Sequence, residues 1–211
     1  MGVNTMIYEM RTYTLQPGMV PEFLNRFEKS LEDRLKKSKL TAFFYTESGA
    51  GELNQVIHIW EYEDADHRME IRNSLNDMPN WPPPVRDLVV KQESRLMSPA
   101  PFPEKPLEGE LGNIYEIRTY TFQPGKIPLV IERWDKIIHE RMKISPLAAC
   151  WFTEFGPLNT WTHVWPYKSF QERLDARKAQ AQLDGWPPDT REFMLSQENR
   201  LVIPAPFSPM R

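Results

Sequence analysis

Only one cysteine, Cys150, occurs among the 211 residues, so the chain cannot form an internal disulfide. No apolar run reaches the roughly 18 residues that a membrane-spanning helix needs. Basic residues are not in excess, because the net charge is −3 and the pI is near 5.9. This balance argues against nucleic-acid phosphates as a partner. We therefore expect no nucleic-acid partner and no membrane span.

Several catalytic signatures are also missing. Histidine, cysteine and aspartate do not cluster at metal-ligand spacings, and neither a GxSxG elbow nor a phosphate-binding loop is present. The N-terminus has neither the apolar core of a secretory signal nor an Arg- and Ser-rich presequence. These observations predict no metal, no cofactor and a cytoplasmic location.

One stretch of the chain occurs twice. IYEMRTYTLQPG at 7–18 returns as IYEIRTYTFQPG at 114–125, an offset of 107 residues from 7 to 114. So long an offset is typical of a duplicated domain and not of a short-repeat array. We predict domains at 6–102 and 113–207, joined by a linker at 103–112.

Each half shows the same pattern of strands and helices. Alternating residues predict strands, and Phe23, Phe27 and Leu31 at i+4 spacing predict the first helix. The predicted elements of the first half are a strand at 6–15, a helix to about 37, strands at 40–47 and 53–62, a helix at 64–75 and a strand at 89–97. In the second half the offset falls to 105 after the hairpin loop at 48–52, which carries two extra residues.

The order β-α-β-β-α-β is that of the ferredoxin-like unit, in which the last strand pairs antiparallel with the first. One register brings Glu9 opposite Arg95 and Arg11 opposite Glu93, because both pairs of numbers add to 104. The second half allows the same ladder of opposite charges, which favours this register. Its pairs are Glu116 with Arg200 and Arg118 with Glu198.

Each predicted sheet is covered by helices on one face only, and the two uncovered faces can pack against each other. The expected class is therefore α+β, with two tandem ferredoxin-like domains that form a dimeric α/β-barrel-type pseudo-dimer. Assembly into further homo-oligomers through the remaining strand edges is left open.

Several separated motifs recur in the same order in both halves. They are IYEMRTYTLQPG at 7–18, LNQVIHIW at 53–60 and QESRL at 92–96, with their counterparts, which include GPLN at 156–159 and HVW at 163–165. In these motifs the chain resembles the NIPSNAP family. The resemblance implies a dimeric α/β-barrel fold but little about activity. Eukaryotic members are mitochondrial, so the lack of a presequence makes this chain look more like a bacterial member. The wider superfamily includes cofactor-free monooxygenases, lactone isomerases and haem enzymes, and by fold analogy His58 is a candidate haem ligand.

The third strand of each half carries chemistry on one face. His58 and Trp60 share that face with Asn54 and Tyr62, and the other face is plainer, so we expect the His/Trp face to look into the barrel. An aromatic cavity with few polar groups is typical of a small-molecule site. His58 and His163 are the candidate catalytic acid/bases, and the alternative for each is a hydrogen-bonded core histidine. The candidate ligand-binding residues are Arg11, Tyr13, Asn54, Trp60, Arg118, Tyr120, Asn159, Trp161 and Trp165.

Other residues also have a structural alternative to a functional role. Arg11 and Arg118 either hold a ligand carboxylate or belong only to the charge ladder. Trp81 and Trp186 either cap the barrel or form a lid. Two functions follow: binding of a small apolar or aromatic molecule, with cofactor-independent oxygenation or isomerisation as its chemistry, or a protein-interaction scaffold. The scaffold predicts a filled barrel and an exposed apolar patch at the PAPF tails, 99–102 and 204–207.

Overall fold

The computed structural model describes residues 6–49 and 52–211. The elements of the first half are β1 (Ile7–Leu15), α1 (Val20–Lys29), α2 (Leu31–Leu35), β2 (Lys39–Gly49), β3 (Gln55–Tyr62), α3 (Ala65–Ser74) and β4 (Val89–Pro99). Those of the second half are β5 (Ile114–Phe122), α4 (Ile127–Asp135), α5 (Ile138–Met142), β6 (Ala149–Phe155), β7 (Thr160–Tyr167), α6 (Phe170–Gln180) and β8 (Met194–Pro204).

The predicted order of elements is confirmed in both halves, with the first helix divided in two each time. Residues 50 and 51 of the predicted hairpin loop lie outside the described residues, as does the N-terminal stretch 1–5 on which the targeting prediction depends. The division into two domains with a linker at 103–112 stays a prediction. Within the described ranges, no helix is both long and apolar enough to cross a membrane.

All eight strands form one closed antiparallel barrel in the order β1-β3-β2-β8-β5-β7-β6-β4. The two halves join where β2 pairs with β8 and where β4 pairs with β6. The class is therefore α+β with an eight-stranded barrel. Since each described strand has a neighbour on both sides, no strand edge is left for the further assembly considered from the sequence.

The predicted register between the first and last strands of each half is wrong by one residue. Glu9 lies opposite Leu96 and Arg11 opposite Ser94; in the second half Glu116 lies opposite Leu201 and Arg118 opposite Asn199. A shift of one residue turns every side chain to the other face. The observed register buries Met97 and Val202 completely in the barrel interior. Burial of such side chains is worth about 1.5–3 kcal/mol each, more than the roughly 0.2–1 kcal/mol of a cross-strand charge pair.

The barrel interior is filled with apolar side chains from both halves. Its buried cluster includes Tyr8, Met10, Ile57, Ile59, Tyr115, Ile117, Trp151, Val164 and Val202. An eight-stranded barrel is just wide enough for its own side chains to fill it. The face of β3 that carries Ile57 and Ile59 therefore points into the barrel.

The other face of β3 lies under the helices, so the prediction that it looks into the barrel is wrong. Phe23 and Phe27 of α1 pack with Val56 and Trp60 of this face. In the second half Trp134 of α4 packs with Trp161 and Trp165 in the same way. The layer between sheet and helices thus holds large aromatic rings of its own, in addition to those inside the barrel.

The two PAPF tails are exchanged between the halves. Phe102 is 2% exposed and stacks on Trp134 of the second half, at 6.4 Å between ring centroids. Phe207 lies against Phe27 and Phe43 of the first half. The tails thus tie the halves together, and the exposed apolar patch that a scaffold role predicted there is not found.

Candidate functional site

Each half has a cavity between the outer face of the sheet and the covering helices. The first pocket, about 360 Å³, is lined by residues that include Glu9, Arg11, Tyr13, Phe27, Arg34, His58, Trp60, Tyr62, Arg72, Leu75 and Trp81. The second pocket, about 430 Å³, is lined by the counterparts Glu116, Arg118, Tyr120, Trp134, Arg141, His163, Trp165, Tyr167, Arg177, Gln180 and Trp186. The histidine, tryptophan, arginine and tyrosine residues predicted to line the barrel interior therefore lie outside the barrel, in one pocket in each half.

A buried carboxylate lies at the sheet wall of each pocket. Glu9 is 0% exposed and its Oε1 accepts hydrogen bonds from Arg11 at 2.8 Å, Arg68 at 2.8 Å and Ser94 at 2.7 Å. Arg68 reaches it from α3, whose first turn is fixed because the Asp64 side chain accepts a hydrogen bond from the backbone of His67. Burial raises the pKa of Glu9, but these donors outweigh it and lower the pKa to about 2.

The second pocket repeats this arrangement. Glu116 accepts from Arg118 at 2.8 Å, from Arg173 at 2.8 Å and from Asn199 at 3.1 Å. Its pKa is also lowered to about 2, since the donors again outweigh burial. At neutral pH both carboxylates are ionised and fully occupied, so neither is available as a proton donor.

Arg11 has its partners on its own strand. It donates to Glu9 and, from Nε at 2.8 Å, to the Tyr13 hydroxyl. Arg118 contacts Glu116 and Tyr120 in the same way. The cross-strand charge ladder proposed for Arg11 and Arg118 is therefore wrong, because the true ion pairs run along β1 and β5 and up to the helices.

A second arginine in each pocket has no acid beside it. Arg34 of α2 is 2% exposed, and its guanidinium lies over the Trp60 ring at 4.0 Å. It donates to the Ser38 hydroxyl at 2.6 Å and to the Tyr62 hydroxyl at 3.0 Å. Among the described residues no carboxylate pairs with it. Burial lowers the pKa of this guanidinium, yet arginine stays charged in proteins.

Arg141 occupies the matching place in the second half. It is also 2% exposed, and it lies over the Trp165 ring at 4.2 Å. The Ser145 hydroxyl accepts a hydrogen bond from it at 2.8 Å. Each pocket is thus lined by a buried guanidinium that aromatic rings and hydroxyls hold in place and that forms no ion pair with a carboxylate of the described residues.

His58 and His163 face the helices and line the pockets. His58 Nδ1 accepts a hydrogen bond from Trp60 Nε1 at 2.7 Å, and His163 accepts from Trp165 at 2.6 Å. Burial lowers the pKa of His58 to about 3 and lowers that of His163 as well. The imidazoles are therefore neutral, with the hydrogen on Nε2. This geometry favours the alternative of a buried, hydrogen-bonded core histidine over the acid/base role.

His58 does not fit a haem iron. Nδ1 is used by Trp60, and Nε2 is buried without an exposed surface. The ring is enclosed by Tyr13, Phe27 and Phe43, with centroids 4.9–5.4 Å away. The described residues also contain no group of three or more acidic, His or Cys side chains that could hold a metal ion.

Three predicted ligand-binding residues lie away from the pockets. Trp161 is completely buried against Phe102 and Trp134. Asn54 and Asn159 precede β3 and β7 with φ of 59° and 57°. Each side chain accepts a hydrogen bond from a turn glycine, Gly18 for Asn54 and Gly125 for Asn159. The asparagines therefore hold the QPG turn and do not touch the cavity.

Asn54→Ala is expected to destabilise the protein by about 1–3 kcal/mol, because alanine is disfavoured at positive φ and the bond to Gly18 is lost. Asn54→Gly loses only the hydrogen bond, so we expect about 1 kcal/mol. Urea unfolding of both variants measures this difference. Equal losses for the alanine and glycine variants would show that the backbone at Asn54 is not constrained as described.

Trp81 and Trp186 close the side of each pocket and do not cap the barrel. Trp81 lies edge-on to Trp60 at 6.0 Å, with the Arg34 guanidinium 5.7 Å from its ring. Trp186 stands in the same relation to Trp165 and Arg141. The neighbouring prolines of each WPP motif also line the cavity.

The sequence reasoning missed Arg34 and Arg141 as well as Arg68 and Arg173. The signal that the sequence offers for them is recurrence, because each pair is separated by the same offset as the motifs, 107 before the hairpin loop and 105 after it. Surface arginines recur in the same way, since Arg26 and Arg133 are also 107 residues apart, so recurrence alone does not distinguish a pocket arginine from a surface one.

Comparisons with known proteins agree on a family. A family model described as NIPSNAP matches residues 8–104 and 115–209. Protein NipSnap homolog 3A of Homo sapiens is 31% identical over 218 residues, which cover 98% of this chain and 86% of that protein. Protein NipSnap homolog of Dictyostelium discoideum is 32% identical over 210 residues, with 96% of this chain and 89% of that protein covered.

A solved structure shares the fold over the whole chain. A "Putative monooxygenase" from Fusobacterium nucleatum matches 100% of both chains with a TM-score of 0.67 at 9% identity, which is a likeness of fold alone. An uncharacterized NIPSNAP-like domain protein from Burkholderia xenovorans is 35% identical and covers 50% of this chain and 93% of its own, with a TM-score of 0.44.

Proposed function

The chain belongs to the NIPSNAP family, and from that premise we propose that its two pockets bind a small organic anion with a planar apolar part. The observation that carries this proposal is the pair of buried guanidiniums, Arg34 and Arg141, which line the cavities without a carboxylate partner among the described residues. A buried charge is normally paired. A ligand carboxylate supplies the missing charge.

The charge of the pocket walls supports an anion. The first pocket is lined by Arg11, Arg34 and Arg72 but by only one carboxylate, Glu9. The charge of Glu9 is already neutralised, because it forms ion pairs with Arg11 and Arg68. Arg72 is 42% exposed and lies at the far limit of ion-pair distance from Glu9, 4.0 Å. The pocket therefore keeps a positive surplus, and the second pocket has the same surplus from Arg118, Arg141 and Arg177.

The remaining wall supports a planar apolar group. Phe27, Trp60 and Trp81 form the sides of the first pocket, and its volume of about 360 Å³ lies in the range of small-molecule sites. Aromatic rings stack on planar ligands with a preferred geometry, so the tryptophans favour a ring over a flexible chain.

For the chemistry, we propose cofactor-independent oxygenation or isomerisation of the bound anion. We assign no proton transfer in it to His58 or His163, because Nδ1 of each accepts from a tryptophan and Nε2 of each is buried. The likeness in fold to a "Putative monooxygenase" is consistent with this reaction class and carries no more than that. The cytoplasmic location likewise stays a prediction.

We expect the Arg34→Met, Arg141→Met variant to bind 2-naphthoate about ten- to hundredfold more weakly than the wild type, because hydrogen bonds to charged groups contribute roughly 1.5–3 kcal/mol. Isothermal titration measures the affinity, and the neutral 2-naphthamide should bind both proteins weakly. Arg26→Met is the matched control, since Arg26 pairs with Glu22 and Asp87 at the surface and lines neither pocket. Unchanged naphthoate affinity in the double variant would refute the anion site.

A further inference from the structure

The two pockets are not chemically equal, although their walls repeat almost residue for residue. The difference lies at the end of the helix that follows the third strand. Leu75 follows α3 directly, and Gln180 is the last residue of α6. They occupy the same place in the two halves at the offset of 105, and each lines its own pocket beside the buried arginine.

Gln180 completes the hydrogen bonding of its arginine. Arg141 Nε donates to Gln180 Oε1 at 2.8 Å, and Arg141 also donates to the Ser145 hydroxyl. The guanidinium of the second pocket therefore has a protein acceptor on the edge that carries Nε. A ligand oxygen that approaches this edge must displace the glutamine amide or accept from another nitrogen.

Leu75 cannot do the same for Arg34. A leucine side chain has no acceptor, and Arg34 Nε is buried with no hydrogen-bond partner in the described part of the chain. The other two nitrogens are used, one by Ser38 and one by Tyr62. A buried donor on a charged group that makes no hydrogen bond is costly, so an acceptor at this point is strongly favoured.

We infer that the first pocket is the high-affinity carboxylate site and that Leu75 and Gln180 determine this difference. In the first pocket the wall beside Leu75 opens and a carboxylate oxygen of the ligand accepts from Arg34 Nε, where the Gln180 amide oxygen stands in the second. The same ligand binds the second pocket more weakly, because its arginine is already satisfied. This inference rests on the proposed function, since it takes both cavities to be anion sites.

The test exchanges the two residues. Titration of the wild type with 2-naphthoate should give two classes of site whose dissociation constants differ about tenfold or more, as expected for one hydrogen bond to a charged group. Leu75→Gln should weaken the tight site to the level of the other one. Gln180→Leu should tighten the weak site. Leu75→Ala is the control for packing, because it alters the wall without supplying an acceptor and should keep the tight site.

The outcomes separate the inference from the proposed function. Two equal sites in the wild type, or a tight site that Leu75→Gln leaves unchanged, would overturn the inference while the pockets remain anion sites. An equal weakening by Leu75→Gln and Leu75→Ala would also overturn it, because packing would then explain the effect. No binding of 2-naphthoate by the wild type would overturn the proposed function and the inference together.

Discussion

Replacement of Glu9 by glutamine is expected to lower the free energy of unfolding by about 3–5 kcal/mol, because it leaves the guanidiniums of Arg11 and Arg68 buried without their counter-charge. Both arginine side chains are less than 20% exposed, and Glu9 itself is not exposed at all. For a chain of this size, about 2–4 °C in melting temperature accompanies each kcal/mol. Thermal unfolding should therefore show a fall of roughly 6–20 °C.

Glu22→Gln is the matched control for this experiment. Glu22 also pairs with an arginine, Arg26, at 2.7 Å, but both side chains lie at the surface of α1. Exposed ion pairs contribute little because water solvates the charges in both states. The melting temperature of Glu22→Gln should stay close to the wild-type value, and an equal fall for the two variants would contradict the account of Glu9 as the centre of a buried ion cluster.

Acid should destabilise the protein strongly between about pH 4.5 and about pH 2. The pKa of Glu9 and of Glu116 is about 2 in the folded protein, against 4.5 as the ordinary value. A carboxylate whose pKa is lowered by folding stabilises the folded state above its unfolded pKa and loses that contribution as the pH falls through the folded one. At 1.36 kcal/mol per pH unit, each carboxylate contributes about 3 kcal/mol.

The pH dependence is measured by urea unfolding at intervals from pH 6 to pH 2. The wild type should lose stability steeply in the stated window, whereas the Glu9→Gln, Glu116→Gln variant should start lower and decline less. Parallel curves for the two proteins would show that these carboxylates are not the titrating groups. His58 and His163 should add a separate loss of stability in both proteins as the pH falls below about 6.5, because the unfolded chain binds protons there that burial keeps off the folded imidazoles.

The order of strands and helices could be predicted from the sequence, but the orientation of the sheet could not. Apolar spacing in α1 and alternation in β1 are local signals that survive in the structure. In β3, by contrast, every residue except Glu61 is buried, so hydrophobicity does not distinguish its two faces. Choosing between them requires the width of the barrel, which depends on how all eight strands close.

The sequence predicted only part of the site. His58 and Trp60 of β3 and Arg11 of β1 could be selected because each recurs in both halves among residues that share one face of their strand. Arg34 could not be distinguished from an ordinary solvated charge, since arginine on an amphipathic helix is mostly exposed. Its burial depends on Trp60 and Tyr62 from β3, a contact between elements that spacing along the chain does not encode.

The most direct test of the central claim is a crystal structure of the protein soaked with 6-bromo-2-naphthoate, in which the anomalous signal of bromine locates the ligand. We predict a bromine peak between the sheet and the helices of the first half, with the ring beside Trp60 and Trp81 and the carboxylate at Arg34. A bromine peak inside the barrel, or none in either pocket at a concentration that saturates binding in solution, would contradict the account.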